Sequence, residues 1–137
     1  MQFAGLNWLA IPVAAICAFI IGAVYYGAMA KHWMKAAKIT GTGEKMMPSP
    51  VLLINSLVME LVLATMTAGV IGHLGPGQVT AVNGVISGFF LWLGFIVPTI
   101  SINQRYQGFG WDLTLIDSLH WLLVMLAIGG VVGLFGA

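Results

Sequence analysis

Residues 50–73 read PVLLINSLVMELVLATMTAGVIGH, and the interpretation of this run decides the fold. One charged side chain, Glu60, interrupts it. A hydrocarbon core about 30 Å thick takes about 20 predominantly apolar residues in helical form, so the run is long enough to cross one. Ser49 before Pro50 is the pattern of an N-cap followed by proline at the first helical position, where the missing N–H costs nothing. Gly75-Pro76-Gly77 supplies a tight turn beyond the run. The stretch predicts a membrane-spanning helix with a carboxyl group near its middle.

Three further runs have the same character, and the predicted spans are 7–30, 50–73, 78–103 and 112–135. Pro98 lies inside the third and predicts a kink there, which membrane helices tolerate. Gly108 and Gly110 break the chain before the fourth. The composition agrees: the 137 residues are 60% hydrophobic and 7% charged, against about 25% charged in soluble domains. The N-terminal run has no preceding Lys or Arg and is too long for the h-region of a signal peptide, so it is read as a retained span. Short loops between antiparallel neighbours predict an all-α, integral membrane, four-transmembrane-helix antiparallel bundle formed by residues 1–137 as one domain.

Basic residues set the expected orientation. Lys31, Lys35, Lys38 and Lys45 fall in the first loop and Arg105 in the third, with none in the second loop or at the termini. The positive-inside rule then places loops one and three in the cytoplasm and both termini on the outer side of a bacterial inner membrane. Lys31, Lys35 and Lys38 recur at i, i+4 and i+7, on one face of a helical extension of span one. They are read as lipid-facing basic anchors whose long stems reach the interface. Trp8, Trp33, Tyr106 and Trp111 fall near predicted interfaces and are read as aromatic anchors.

Helices in lipid associate through close packing and hydrogen bonds, because lipid tails are as apolar as leucine. Small residues at four-residue spacing offer such seams: Ala14, Ala18 and Gly22 in span one; Ala64, Ala68 and Gly72 in span two; Gly84 and Gly88 in span three; Gly129 and Gly133 in span four.

Ionisable groups at membrane depth are costly and mark the interior of a bundle. At about 1.5 Å rise per residue, Glu60 lies roughly 15 Å and His120 roughly 12 Å from the cytoplasmic edge. Asp117 shares a face with His120, one turn shallower. Thr67, Asn83 and Ser87 continue toward the outer side. These six residues define an intramembrane polar track, with Arg105 and Asp112 as a charge pair at the cytoplasmic rim. Two readings stand side by side: a pathway for protons or a small solute, with Glu60 as its central titrating group, and a structural hydrogen-bond network between helices.

Other chemistries find less support. The net charge is +1, which gives nucleic acid no basic footprint. The single cysteine, Cys17, sits in an apolar run and reads as a packed small hydrophobe. No cluster has zinc-type spacing, and no nucleophile–base arrangement appears, so no metal, cofactor or catalytic residue is assigned. His120-Trp121 could in principle face a haem or pigment, but His32 and His73 lie at span ends, not opposite His120.

The chain also resembles a bacterial membrane family known as domain of unknown function 1761. The resemblance rests on Asn7-Trp8-Leu9-Ala10, then Gly22-Ala-Val-Tyr25-Tyr26, then Trp33-Met34-Lys35-Ala36. It continues in Phe90-Leu-Trp92-Leu-Gly94-Phe95 and in Leu115-Ile116-Asp117 with His120 following. Tyr25-Tyr26-Gly27 departs from the Trp-Tyr pair and Ser-Pro turn usual in that family. The resemblance covers nearly the whole chain, implies a small four-span protein, and draws attention to Asp117 and Arg105. It carries no activity with it. The expected function is a non-enzymatic, homo-oligomeric membrane protein that passes protons or a small solute. The alternative is an accessory or scaffold subunit of a larger membrane complex; lipids are partners in either case.

Overall fold

A computed structural model describes residues 5–40 and 48–136; Lys45 of the first loop lies outside them. Among the described residues, four helices are long and apolar enough to cross a membrane: α1 (Ala10–Ala36), α2 (Pro50–Gly72), α3 (Ala81–Tyr106) and α4 (Trp111–Phe135). Serine and threonine start two of them. Ser49 Oγ accepts from the Leu52 N–H before α2, and Thr80 Oγ1 accepts from the Asn83 N–H before α3. Each satisfies a donor that the first helical turn leaves unpaired.

α1 runs six residues past the predicted Ala30. It ends in a reverse turn in which Ile39 N–H bonds the Met34 carbonyl and Lys38 takes a left-handed φ of 56°. α3 ends in the same way, with Phe109 N–H on the Gln104 carbonyl and Gly108 at φ 77°. The two helix ends meet: Lys38 Nζ donates to the Gly108 carbonyl at 2.7 Å. A lysine beside the last carbonyls of a helix also opposes the negative end of its dipole. Lys31 and Lys35 are exposed along α1. Lys38 follows the end of the helix, so it leaves the anticipated basic stripe and ties loop one to loop three.

α4 is the central helix, packed against α3 and α1 most extensively and against α2 less. Glycine permits the α3–α4 contact. A Cβ at Gly84 would overlap the backbone of Gly129, one at Gly88 the backbone of Met125, and one at Gly133 the backbone of Thr80. The contact therefore descends along α4 as it ascends along α3. α1 meets α4 in the same sense, with Gly22 against His120 and Tyr25 against Ile116. On the far side of α4, Ala14, Ala18, Ala64, Ala68, Ile71, Val124 and Ile128 form a fully buried apolar core between α1, α2 and α4. The small-residue seams of spans one and two thus become packing surfaces.

α3 carries the main departure from regular helix. Residues Trp92–Ile96 form a π-helical turn immediately before Pro98. Proline has no N–H to give the Gly94 carbonyl, and its ring would crowd that carbonyl in a regular helix. The wider turn relieves the crowding, and Thr99 Oγ1 donates to the Phe95 carbonyl at 2.6 Å. One extra residue in a turn rotates everything after it by about 100°. Gln104 follows Gly88 by sixteen positions, which in an unbroken helix sets it about 160° away from the glycine face. With the π turn the separation falls to about 60°, and Gln104 points at α4.

Candidate functional site

The polar centre of the molecule is built around Asp117 on α4. Its Oδ1 accepts from the Tyr26 hydroxyl at 2.8 Å and from the Trp33 indole N–H at 3.1 Å. Its Oδ2 accepts from Gln104 Nε2 at 2.7 Å. Tyr26 and Trp33 stand at i and i+7 on α1, so one helical face delivers both donors. Gln104 is delivered by the rotation that the π turn imposes on α3. Three helices thus converge on one carboxyl group, and all three donors are neutral.

The network continues outward in one direction. Gln104 Oε1 accepts from the Thr114 hydroxyl, and Thr114 Oγ1 accepts from Arg105 Nη2, each at 2.6 Å. Every member donates to the next, from Arg105 through Thr114 and Gln104 to Asp117. A row of aligned dipoles therefore runs from a guanidinium to a carboxyl group with no direct ion pair between them, and such chains polarise cooperatively. Arg105 also donates to the Gly110 carbonyl at 2.7 Å, and its guanidinium lies 4.1 Å from the Trp111 ring centroid.

The anticipated rim pair of Arg105 and Asp112 is arranged otherwise. Asp112 Oδ1 accepts from the Leu113 N–H at 3.0 Å, in the first turn of α4, where negative charge suits the helix dipole. Both residues organise the start of α4, and Arg105 spends its side-chain hydrogen bonds on Gly110 and Thr114.

His120 lies one turn deeper than Asp117 and is 5% exposed. Tyr26, Trp121 and Tyr25 surround its ring at centroid distances of 4.6, 5.1 and 5.5 Å. Gly22 backs it: a Cβ there would come within 3.2 Å of Nε2. Among the described residues, neither imidazole nitrogen has a hydrogen-bond partner. Glu60 on α2 is 7% exposed, and its buried Oε2 also has none. Glu60 precedes the core residue Ala64 by one turn, and His120 precedes the core residue Val124 by one turn. Both therefore border the same end of the α1–α2–α4 core, without a hydrogen bond between them.

The remaining members of the anticipated track lie elsewhere. Asn83 and Ser87 line a groove between α2 and α3 with Val70, Phe90 and Phe95, while Thr67 is buried and borders a second, smaller cavity with Leu63, Val70 and Met125. Asn83 Nδ2 donates to the Gln78 carbonyl and to Gln78 Oε1, closing the turn that enters α3. Among the described residues, no hydrogen bond joins this group to Asp117, His120 or Glu60. The six residues thus do not form one track: Asp117 and His120 are neighbours on α4, Glu60 stands apart on α2, Thr67 is buried, and Asn83 and Ser87 face the α2–α3 groove.

Tyr25, Tyr26, Trp33, Gln104 and Thr114 belong to this site without having been expected in it. The i, i+7 spacing of Tyr26 and Trp33 and the i, i+3 spacing of Thr114 and Asp117 are local signals that could have found three of them. Trp33, anticipated as an interfacial anchor, donates to Asp117; Trp8, Tyr106 and Trp111 are exposed. Among the described residues there is no cluster of three or more His, Cys, Asp or Glu side chains able to hold a metal ion.

Comparison with curated proteins and with solved structures returns no match. A family profile described as "Protein of unknown function (DUF1761)" matches residues 9–133, from the start of α1 nearly to the end of α4, and the chain belongs to that family.

Proposed function

We propose that this chain is a non-enzymatic, multi-pass protein of the bacterial inner membrane that moves protons through its helical interior. Its helices alternate in direction, and both termini face the outer side. The observation that carries the reading is the pair Glu60 and His120. Both are buried in a lipid-compatible bundle, both exchange protons readily by chemical type, and both hold polar atoms that no protein group engages. A buried polar group left without a partner is destabilising, so its presence needs a reason other than packing. Asp117 sits one turn from His120 and is held by three neutral donors. It gives the basic end of the route a fixed carboxyl group linked through Gln104 and Thr114 to Arg105 at the rim.

The test is proton flux into proteoliposomes carrying a pH-sensitive dye under an imposed potential. Parent protein should acidify the lumen faster than empty vesicles, and Glu60→Gln should abolish the difference while its circular dichroism is unchanged. Equal flux in parent and variant refutes the route. The second reading, an accessory subunit, draws on the exposure of residues 51–59 around the whole circumference of α2. A partner protein that co-purifies in fixed ratio, with no flux in the parent, would favour it.

A further inference from the structure

The first nine residues of α2 after Pro50, Val51–Met59, are exposed on every face. Further along, α2 buries Glu60, Ala64, Thr67, Ala68 and Ile71 against its own chain. The opposite side remains open from Leu52 to Met66, beyond which Gly69 is buried. Leu52, Asn55, Met59, Val62 and Met66 are all exposed, and their spacing is +3, +4, +3, +4. That is the a/d pattern of a coiled-coil seam. At 3.6 residues per turn it lies about 140° around the helix from the buried face.

One member of this seam is polar. Asn55 stands five residues inside a helix that is apolar enough to cross the membrane. A carboxamide turned toward lipid has no acceptor or donor to meet, and this cost is removed when it faces another polar group. Small and polar side chains that hydrogen-bond across helices are a principal source of association in membranes.

We propose that the Leu52–Met66 face of α2 is the contact between two copies of this chain, with Asn55 paired to Asn55 across a two-fold axis. Symmetry selects the second copy as the occupant. Identical chains inserted with one topology relate by an axis along the membrane normal, so their α2 helices run parallel and like residues meet at equal depth. An amide is both donor and acceptor, so it satisfies itself in such a pair. A single asparagine at a seam position also fixes register and oligomer number. Leucine, methionine and valine fill the remaining positions. Association by this face is independent of proton movement and is read without measuring it.

Cysteine cross-linking of the full chain in native membranes tests the proposal. In a Cys17→Ala background, Met59→Cys and Val62→Cys should give a disulfide-linked dimer on mild oxidation. Leu57→Cys, exposed but on the opposite side of the helix, should not. Asn55→Leu should weaken the dimer by roughly three- to thirtyfold, measured by energy transfer between labelled copies in liposomes, as expected for loss of an interhelical hydrogen bond in a membrane. Three outcomes would overturn it: cross-linking at Leu57→Cys in place of the seam positions, a monomer under all conditions, or capture of a different protein by the seam cysteines in place of the dimer. An Asn55→Leu dimer of unchanged affinity would equally remove Asn55 from the contact.

Discussion

The α3–α4 contact gives the most direct test of the architecture. An alanine methyl at position 84 would sit 2.6 Å from the Gly129 carbonyl carbon and closer still to its oxygen. Ordinary carbon–carbon contact needs roughly 3.5–4 Å, so the two backbones must part by about 1 Å. Neither neighbour is a flexible side chain that can swing aside. Overpacking of this kind costs about 1–3 kcal/mol. Gly27, also within a helix, has nothing within 4 Å of its added Cβ. There, alanine should stabilise by about 0.5–1 kcal/mol through reduced backbone freedom in the unfolded chain. Gly84→Ala and Gly27→Ala should therefore differ by about 1.5–4 kcal/mol in reversible unfolding, followed by far-ultraviolet circular dichroism in mixed micelles. Gly129→Ala pushes the same two backbones apart. The Gly84→Ala/Gly129→Ala double variant should consequently cost less than the sum of the singles. Equal stabilities for the Gly84 and Gly27 variants would show that the helices do not meet at these glycines, and the register of the contact would fall with it.

Two further predictions concern the Asp117 network. Asp117→Asn sets an amide N–H₂ among three donors, so it should destabilise by about 1–3 kcal/mol. Asp117→Ala leaves the Trp33 indole N–H without its acceptor and should shift the fluorescence of Trp33; an unchanged emission spectrum in a background where Trp33 is the only tryptophan would contradict the bond. Pro98→Ala should let α3 relax toward regular helix and turn Gln104 away from α4. Gln104→Leu should then be costly in the parent, by about 0.5–1.5 kcal/mol or more, and nearly neutral in the Pro98→Ala background. Additive costs in that double-mutant cycle would separate the π turn from the placement of Gln104.

By itself the sequence determined the number of spans, their approximate ends, and the small-residue faces available for packing. These are local or compositional properties. A helix crossing lipid needs a certain length of apolar chain wherever its neighbours lie, and a glycine pair at four-residue spacing is flat whatever it meets. The capping residues Ser49 and Thr80 also act within one turn of their own position. The π turn lay at the limit of this reach, because Pro98 announced a disturbance without stating its form. Tertiary structure decided which polar groups meet. Depth placed Glu60, His120, Asp117, Thr67, Asn83 and Ser87 in one column, but depth is a single coordinate, and the azimuth of each helix depends on its packing partners. One inserted residue in α3 rotated Gln104 by about 100° toward Asp117. The close approach of α1 brought Tyr26 and Trp33 to the same carboxyl group, across 91 and 84 residues of chain. α4 carries both the glycine face that admits α3 and the Asp117–His120 face that meets α1, and that placement directs Asn83 and Ser87 toward a groove instead of the buried centre.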